Sequence, residues 1–343
     1  MNKKISITTT FLSLVVFMGL LFSSCSKNDP TLGPLPTANF KWNILTPSNY
    51  TAPQNIQLIN TSSDAGIAYW DIPGVGKFQG DTVLATTVFA GDYPVTLTIA
   101  SQGGIGTNSQ TVNVTNDNPF AVDPTGILGV LTGAGLGETS RTWKANRVLM
   151  ACIVDPDFTS ALNHIDAGGG GWWGFGPAEI APGTGREGYL DDSYHFTFGK
   201  NGSFIFDDNQ TVYLDQGGSG WTKALPAPWN TYGGTTSSTD LYNLVPALKP
   251  WGSGTFTYTV APAPAGYKKL GQFTVNGVGA HMGLQDKVNG DQVVVPTEIK
   301  FITYDVLRIT TNKVDDSGVH YDEIITGVAF NGGVWAFRFR SDR

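Results

Sequence analysis

The segment Gly332-Gly333-Val334-Trp335-Ala336-Phe337-Arg338-Phe339-Arg340 ends in strict alternation, with Phe337 and Phe339 on one face and Arg338 and Arg340 on the other. A period of two marks a strand with one buried face. Its arginines read as solvated. Working backwards, strand-like segments recur at Val306 to Thr311, Glu298 to Tyr304, Gly271 to Val275, Gly254 to Val260, Ser203 to Phe206 and Tyr194 to Gly199. Short helical turns are expected at Phe158 to Ile165 and Thr239 to Leu248. Strands in this number, joined by long glycine-rich connections, predict a jelly-roll-like β-sandwich over residues 125–343.

Upstream, NIQLIN, GIAYWDI, TVLATTVF, YPVTLTIAS and SQTVNVT are short alternating segments separated by turn residues. They predict a smaller immunoglobulin-like sandwich over residues 37–116. The stretch NDNPFAVDP, Asn116 to Pro124, reads as a linker, with residues 117–124 between the two domains. Composition agrees with an all-β chain: 43 of 343 residues are glycine and only 14% are charged. Scarcity of Glu and Lys argues against long helices. The balance of 28 acidic against 21 basic residues, with no basic block, excludes nucleic acid as a natural partner.

Lys3 and Lys4, an apolar run from Ile5 to Phe22 and then Ser23-Ser24-Cys25 make an export signal over residues 1–24. The string LFSSC resembles a bacterial lipobox, which implies that Cys25 is lipidated and becomes the first mature residue. SKNDP, Ser26 to Pro30, resembles the export tag of Bacteroidota surface lipoproteins, which implies a lipid-anchored position on the outer membrane, facing the medium. Residues 25–36 then form a polar, proline-rich tether. Cys152 is left without a partner cysteine and reads as a small buried apolar residue.

The first sandwich resembles a PKD-type domain. The matching residues are Asn60-Thr61-Ser62, Tyr69-Trp70-Asp71, Phe89 with Gly91-Asp92-Tyr93, and Val95-Thr96-Leu97-Thr98. One turn departs from the family, with WDIPGVG carrying Pro73 and Val75 where the acidic turn is usual. The resemblance implies a spacer, with Trp70 as the buried sandwich tryptophan.

Function is sought in the second domain, above all in GGGGWWGFGPAE, Gly168 to Glu179. Adjacent tryptophans in an extended segment point to opposite faces, so Trp172 and Trp173 cannot both enter one core. One holds the loop down and the other meets a groove or ligand. Trp221, Trp229 and Tyr232, and Tyr242 with Trp251, form further aromatic loops among Gly, Pro, Ser and Thr. Sugar rings stack on indole faces while polar side chains take the hydroxyls. The candidate glycan-binding set is therefore Trp172, Trp173, Trp221, Trp229, Tyr232 and Trp251.

The motif order LTG (Leu131 to Gly133), SRTW (Ser140 to Trp143), GWWGFGP and YLDDSYHFTF (Tyr189 to Phe198) resembles the C-terminal domain of Bacteroidota lipoproteins encoded with polysaccharide-uptake systems. That likeness implies a non-catalytic, surface-anchored glycan-binding protein working with a SusC/SusD-type importer, on a polysaccharide such as the β-glucan laminarin.

Two other function classes are weighed against this reading. An enzyme needs two carboxylates flanking one bond, and Asp191-Asp192, Asp207-Asp208, Asp315-Asp316 and Asp322-Glu323 are adjacent residues that read as turn formers and solvated rims. Glu179 or Glu187 beside the tryptophan pair would have to serve in an atypical acid pair. His281 reads as a structural loop residue, with loop ligand or proton donor as its functional alternative. An adhesion lipoprotein would instead use the aromatics at a protein interface. No cofactor is expected; a structural calcium could use Asp207-Asp208-Asn209 or Asp315-Asp316.

Overall fold

Alternation buries every second residue of the first domain's strands, and the strands pair so that those residues meet. The computed structural model describes residues 32–46, 54–151, 158–168, 171–214, 225–227, 229–263, 265, 269–284, 299–330 and 333–343. Cys25, Cys152 and Trp221 lie outside them. Strands β1 (Phe40–Leu45), β2 (Asn55–Asn60) and β5 (Thr82–Thr86) form one antiparallel sheet. Strands β3 (Ile67–Ile72), β4 (Gly76–Gln79), β6 (Gly91–Ser101) and β7 (Gly104–Val114) form the other, in the order β4-β3-β6-β7. Phe40, Leu58, Trp70, Val95, Leu97 and Val112 fill the space between. Trp70 meets Phe40 edge-on at 5.2 Å, and its indole donates to the Gly80 carbonyl at 2.8 Å. The expected immunoglobulin-like sandwich and its tryptophan are both in place.

The second half is built from β8 (Ser140–Ala151), β9 (Trp173–Phe175), β10 (Ser193–Thr197), β11 (Ser203–Asp207), β14 (Gly254–Pro262), β15 (Gly271–Asn276), β16 (Phe301–Val314), β17 (His320–Phe330) and β18 (Gly333–Asp342). A hairpin of β12 (Thr211–Leu214) and β13 (Gly234–Ser237) stands apart. Strands β10, β11, β14, β15, β16, β17 and β18 pair antiparallel in that order, β18 pairs with β8, and β8 pairs with β10. The ring therefore closes on eight strands, while β9 extends the same edge of β8 beyond β10. The all-β expectation holds, but this connectivity is an up-and-down barrel rather than a jelly roll crossing between two sheets. Long aromatic insertions after β8 and β11 interrupt the hairpin rhythm and read, in sequence, like crossovers.

The barrel is filled. Trp143, Tyr194, Phe204, Phe273, Tyr304 and Trp335 are among the side chains that pack its interior. Outside it, helix α2 (Thr159–Asp166) lays Ala161 and Ile165, with Phe158, over Leu149, Ile325, Val334 and Ala336. The terminal strand is thus covered on both faces along its first half, where a half-exposed strand was expected. Its arginines are paired rather than solvated. Arg340 bonds Asp315 and Asp342 and lies over the Tyr321 ring at 4.1 Å, and Arg338 sits beside Glu323 and Asp166. Asp322-Glu323 is also no solvated rim: both are buried, because β17 is covered on both faces.

Connections in a meander alternate between the two ends. At one end the turns are short, and helix α1 (Ile127–Thr132) packs across β8, β10 and β15. Trp143 fixes that helix by donating to the Leu131 carbonyl at 3.0 Å. The first domain meets this same end, where Phe89 stacks on Phe198 at 5.5 Å. The expected linker is folded into the joint, with the Asn118 amide donating to the carbonyls of Gln54 and Thr87. All the long connections, including the tryptophan loop, emerge at the opposite, distal end.

One glycine at that distal end is required by geometry. Gly279 has φ +80°, and a β-carbon on it would lie 1.9 Å from the Pro250 carbonyl oxygen. Gly279→Ala is expected to lose about 1–2 kcal/mol from the left-handed backbone alone, and more from the clash. Urea unfolding measures it; an unchanged midpoint would show that the two loops do not touch in solution.

Candidate functional site

Gly168 at φ 75° and Gly171 at φ 91° turn the chain from α2 into β9. Pairing of Met150 with Trp173 and of Val148 with Phe175 then sets the faces. Trp173 turns inward, edge-on to Phe175 at 5.1 Å and to Trp335 at 5.8 Å. Trp172 turns outward and is 58% exposed. The pair divides as alternation requires, and register decides which member is which.

From Trp173 the aromatic contacts continue inward. Phe175 meets Tyr189 at 5.4 Å and Tyr213 at 5.9 Å, with the Arg186 guanidinium 5.2 Å over its ring. The short helix α3 (Glu187–Leu190) is tied to the β12–β13 hairpin: Gly188 N–H donates to Thr235 Oγ1 at 2.8 Å, and that hydroxyl donates to the Gly185 carbonyl at 3.1 Å. Between the two lies a cleft of about 210 Å³ lined by Thr184, Gly185, Arg186, Tyr213, Gly233 and Gly234. Trp229 and Tyr232, 5.4 Å apart and both half-buried, pack against the core just before Gly233, and Tyr232 is held by donating to the Thr235 carbonyl at 2.6 Å. A larger groove of about 500 Å³ runs between β8 and residues 177–190, with Pro177, Ile180, Pro182 and Leu190 as its apolar wall and Lys144 and Arg340 on its rim.

Of the candidate set, Trp172 is presented to solvent, Trp229 and Tyr232 form a half-buried pair against the core, and Trp173 serves as the internal anchor. Trp251 is a correction. It is 1% exposed and edge-on to His281, because the chain after helix α4 (Ser238–Leu244) folds back in the 3-10 turn Pro246–Trp251 and drives the indole into the barrel. It drops out of any surface for sugar. His281 itself is fully buried, bonds the Gly279 carbonyl through Nδ1 at 2.8 Å, and is lowered to about 4 by burial, so it is a neutral structural residue.

The aspartate doublets are a second correction. Register pairs Ser193 with Asp207, which brings Asp192 and Asp208 side by side just past the ladder. Each doublet splits, one carboxyl outward and one inward, and Asp192 and Asp208 are 5% and 7% exposed. Burial first, and Asp208 second, hold the Asp192 carboxyl well above the ordinary range. Sequence reasoning missed this cluster, although two doublets flanking one hairpin were a signal for it. Asp315 accepts from the backbone of Ser317 and Val319 and from Arg340, so it caps its turn. Among the described residues no three His, Cys, Asp or Glu are gathered as a metal would need.

Glu179 lies in the loop after the tryptophans, and Glu187 opens helix α3. Backbone hydrogen bonds, from Gly176 first in the case of Glu179, hold both carboxyls below their ordinary range. A general acid needs the opposite shift.

A scan against protein-family models and a search of curated proteins found no match to this chain. Among solved structures, the PKD1 domain of the metalloprotease PrtV from Vibrio cholerae is similar over 24% of this chain and 99% of that domain, at 26% identity and a TM-score of 0.21.

Proposed function

We propose that this protein is a non-catalytic glycan-binding protein whose distal barrel loops capture polysaccharide. The observation that carries the reading is Trp172, a widely exposed indole on a glycine-flanked strand whose neighbour Trp173 is locked into the core. An aromatic plate held this way loses little freedom on stacking against a sugar ring, which is the economical route to affinity. The cleft beside Tyr232 supplies the polar company that hydroxyls need, from Thr184, Arg186 and backbone groups around Gly233 and Gly234. In this reading Cys25 carries the lipid on the outer membrane, the first domain is the spacer, and a SusC/SusD-type importer receives the glycan. Placement of the loops opposite the first domain supports it, since that end is turned away from the tether's side of the molecule.

Calorimetry and affinity electrophoresis against a panel of β-glucans including laminarin test the proposal. Trp172→Ala is expected to weaken binding at least tenfold, or about 1.4 kcal/mol, with no change in the unfolding midpoint. Tyr232→Ala should give a smaller loss. Absence of binding to every glycan, binding undiminished in the double variant, or release of reducing ends on long incubation would each overturn it.

A further inference from the structure

Beneath the distal loops, α3, the turn after β11, α4 and the Pro246–Trp251 turn enclose a chamber of about 10 Å³. That is the least room that holds one water. Asp192, Asp208, Tyr189, Tyr242 and Trp251 line it, and among the described residues no lysine or arginine does. Asp208 Oδ1 accepts from Ser253 Oγ at 2.7 Å and from the Gln210 N–H at 3.1 Å, whereas among the described residues Asp192 receives only a long contact from the Tyr194 hydroxyl at 3.4 Å. Trp251 Nε1 is buried with no hydrogen-bond partner among the described residues. A buried N–H donor needs an acceptor, and two buried carboxylates side by side need a counter-charge or a proton.

Among the described residues, the groups facing this pair supply no positive charge. Tyr189 from α3, Tyr194 from β10, Tyr242 from α4 and Tyr304 from β16 are all pushed up by burial and stay neutral, and His281 after β15 is neutral as well. Asp191 and Asp207, on the outward side, add only negative charge.

We propose that Asp192 and Asp208 share a single proton across one buried water, which accepts from Trp251 Nε1, so that the chamber is a pH-sensitive clasp fastening α3, the β11–β12 turn and the Pro246–Trp251 turn together. The clasp holds whether or not the loops above it bind glycan. Burial and Asp208 raise the proton affinity of Asp192 in the native state, so the folded chain binds one more proton than the unfolded chain above the ordinary aspartate pKa of about 4. Stability from this source is complete below that pH and falls as pH rises towards the elevated native value. Over that window the unfolding constant grows about tenfold per pH unit.

Urea unfolding of the full chain from about pH 5 to about pH 9, for the wild type and Asp192→Asn, reads this directly. The wild type should lose stability about tenfold per pH unit more steeply than the variant, whose amide cannot ionise. Parallel profiles overturn the proposal. Should the variant fail to fold, infrared spectroscopy of the wild type replaces it: a protonated-carboxyl C=O band that persists above the ordinary aspartate pKa of about 4 and disappears as pH rises further supports the shared proton, and its absence overturns it. In a crystal, a chamber peak at about 2.7–3.2 Å from Trp251 Nε1 and both carboxyls is the water. Carboxylate distances of about 2.3–2.6 Å would mark a cation instead and overturn the proposal.

Discussion

Asp322→Ala is expected to cost about 3–5 kcal/mol of folding stability, the range for breaking a buried ion pair from one side. Asp322 is 0% exposed at the closed end of the barrel. Its carboxylate receives Arg141 Nη1 at 2.5 Å, both Nε and Nη2 of Arg343 at 2.9 Å, and the Asn312 N–H at 2.8 Å. Arg141 is buried too and donates onward to the Val130 carbonyl and to Glu138. Removing the aspartate would leave that guanidinium inside the protein with Glu138 as its remaining ionic partner. Replacing Arg141 and Asp322 together by Met and Leu should recover most of the loss, because no charge is then stranded. Asp315→Ala serves as the control: its pair with Arg340 is a quarter exposed and should be worth about 1 kcal/mol or less. Chemical denaturation of the set checks the order, and equal losses at the two aspartates would refute the clamp.

Trp143→Ala is expected to lose a further 3–5 kcal/mol or so, from a cavity in the barrel floor and an orphaned Leu131 carbonyl. Trp143 stands where β8 and α1 meet, so α1 should undock with it. Since this is the end opposite the long loops, affinity for glycan, where it exists, should be unchanged under conditions in which the variant remains folded. Trp143→Phe keeps most of the volume and removes the hydrogen bond, and should fall between the two. Denaturant midpoints and binding isotherms on the same samples separate the effects; a Trp143 variant that keeps its stability would mean that α1 does not close the barrel.

Much of the fold is legible in the sequence because alternation is a local signal. The strands around Phe196, Phe204, Phe273 and Phe337 all announce themselves by period, and both helices expected at 158–165 and 239–248 are present near those positions, as Thr159–Asp166 and Ser238–Leu244. The closure of β10 onto β8 is not local, since it depends on which edges meet after the whole insertion between Ala151 and Ser193. The site shows the same division. That Trp172 and Trp173 must part company follows from strand geometry, whereas the burial of Trp251 follows from a loop folding back, which no periodicity records.

The sequence by itself determined the all-β class, the smaller N-terminal sandwich and the partition of a tryptophan pair, because each rests on neighbours along the chain. Only the tertiary structure decided that Trp172 is the outward member, that Trp251 and His281 belong to the core, and that Asp192 and Asp208 face one another. The physical reason is register: pairing Met150 with Trp173 and Ser193 with Asp207 fixes every side chain's face at once, and a slip of one residue would reverse them all.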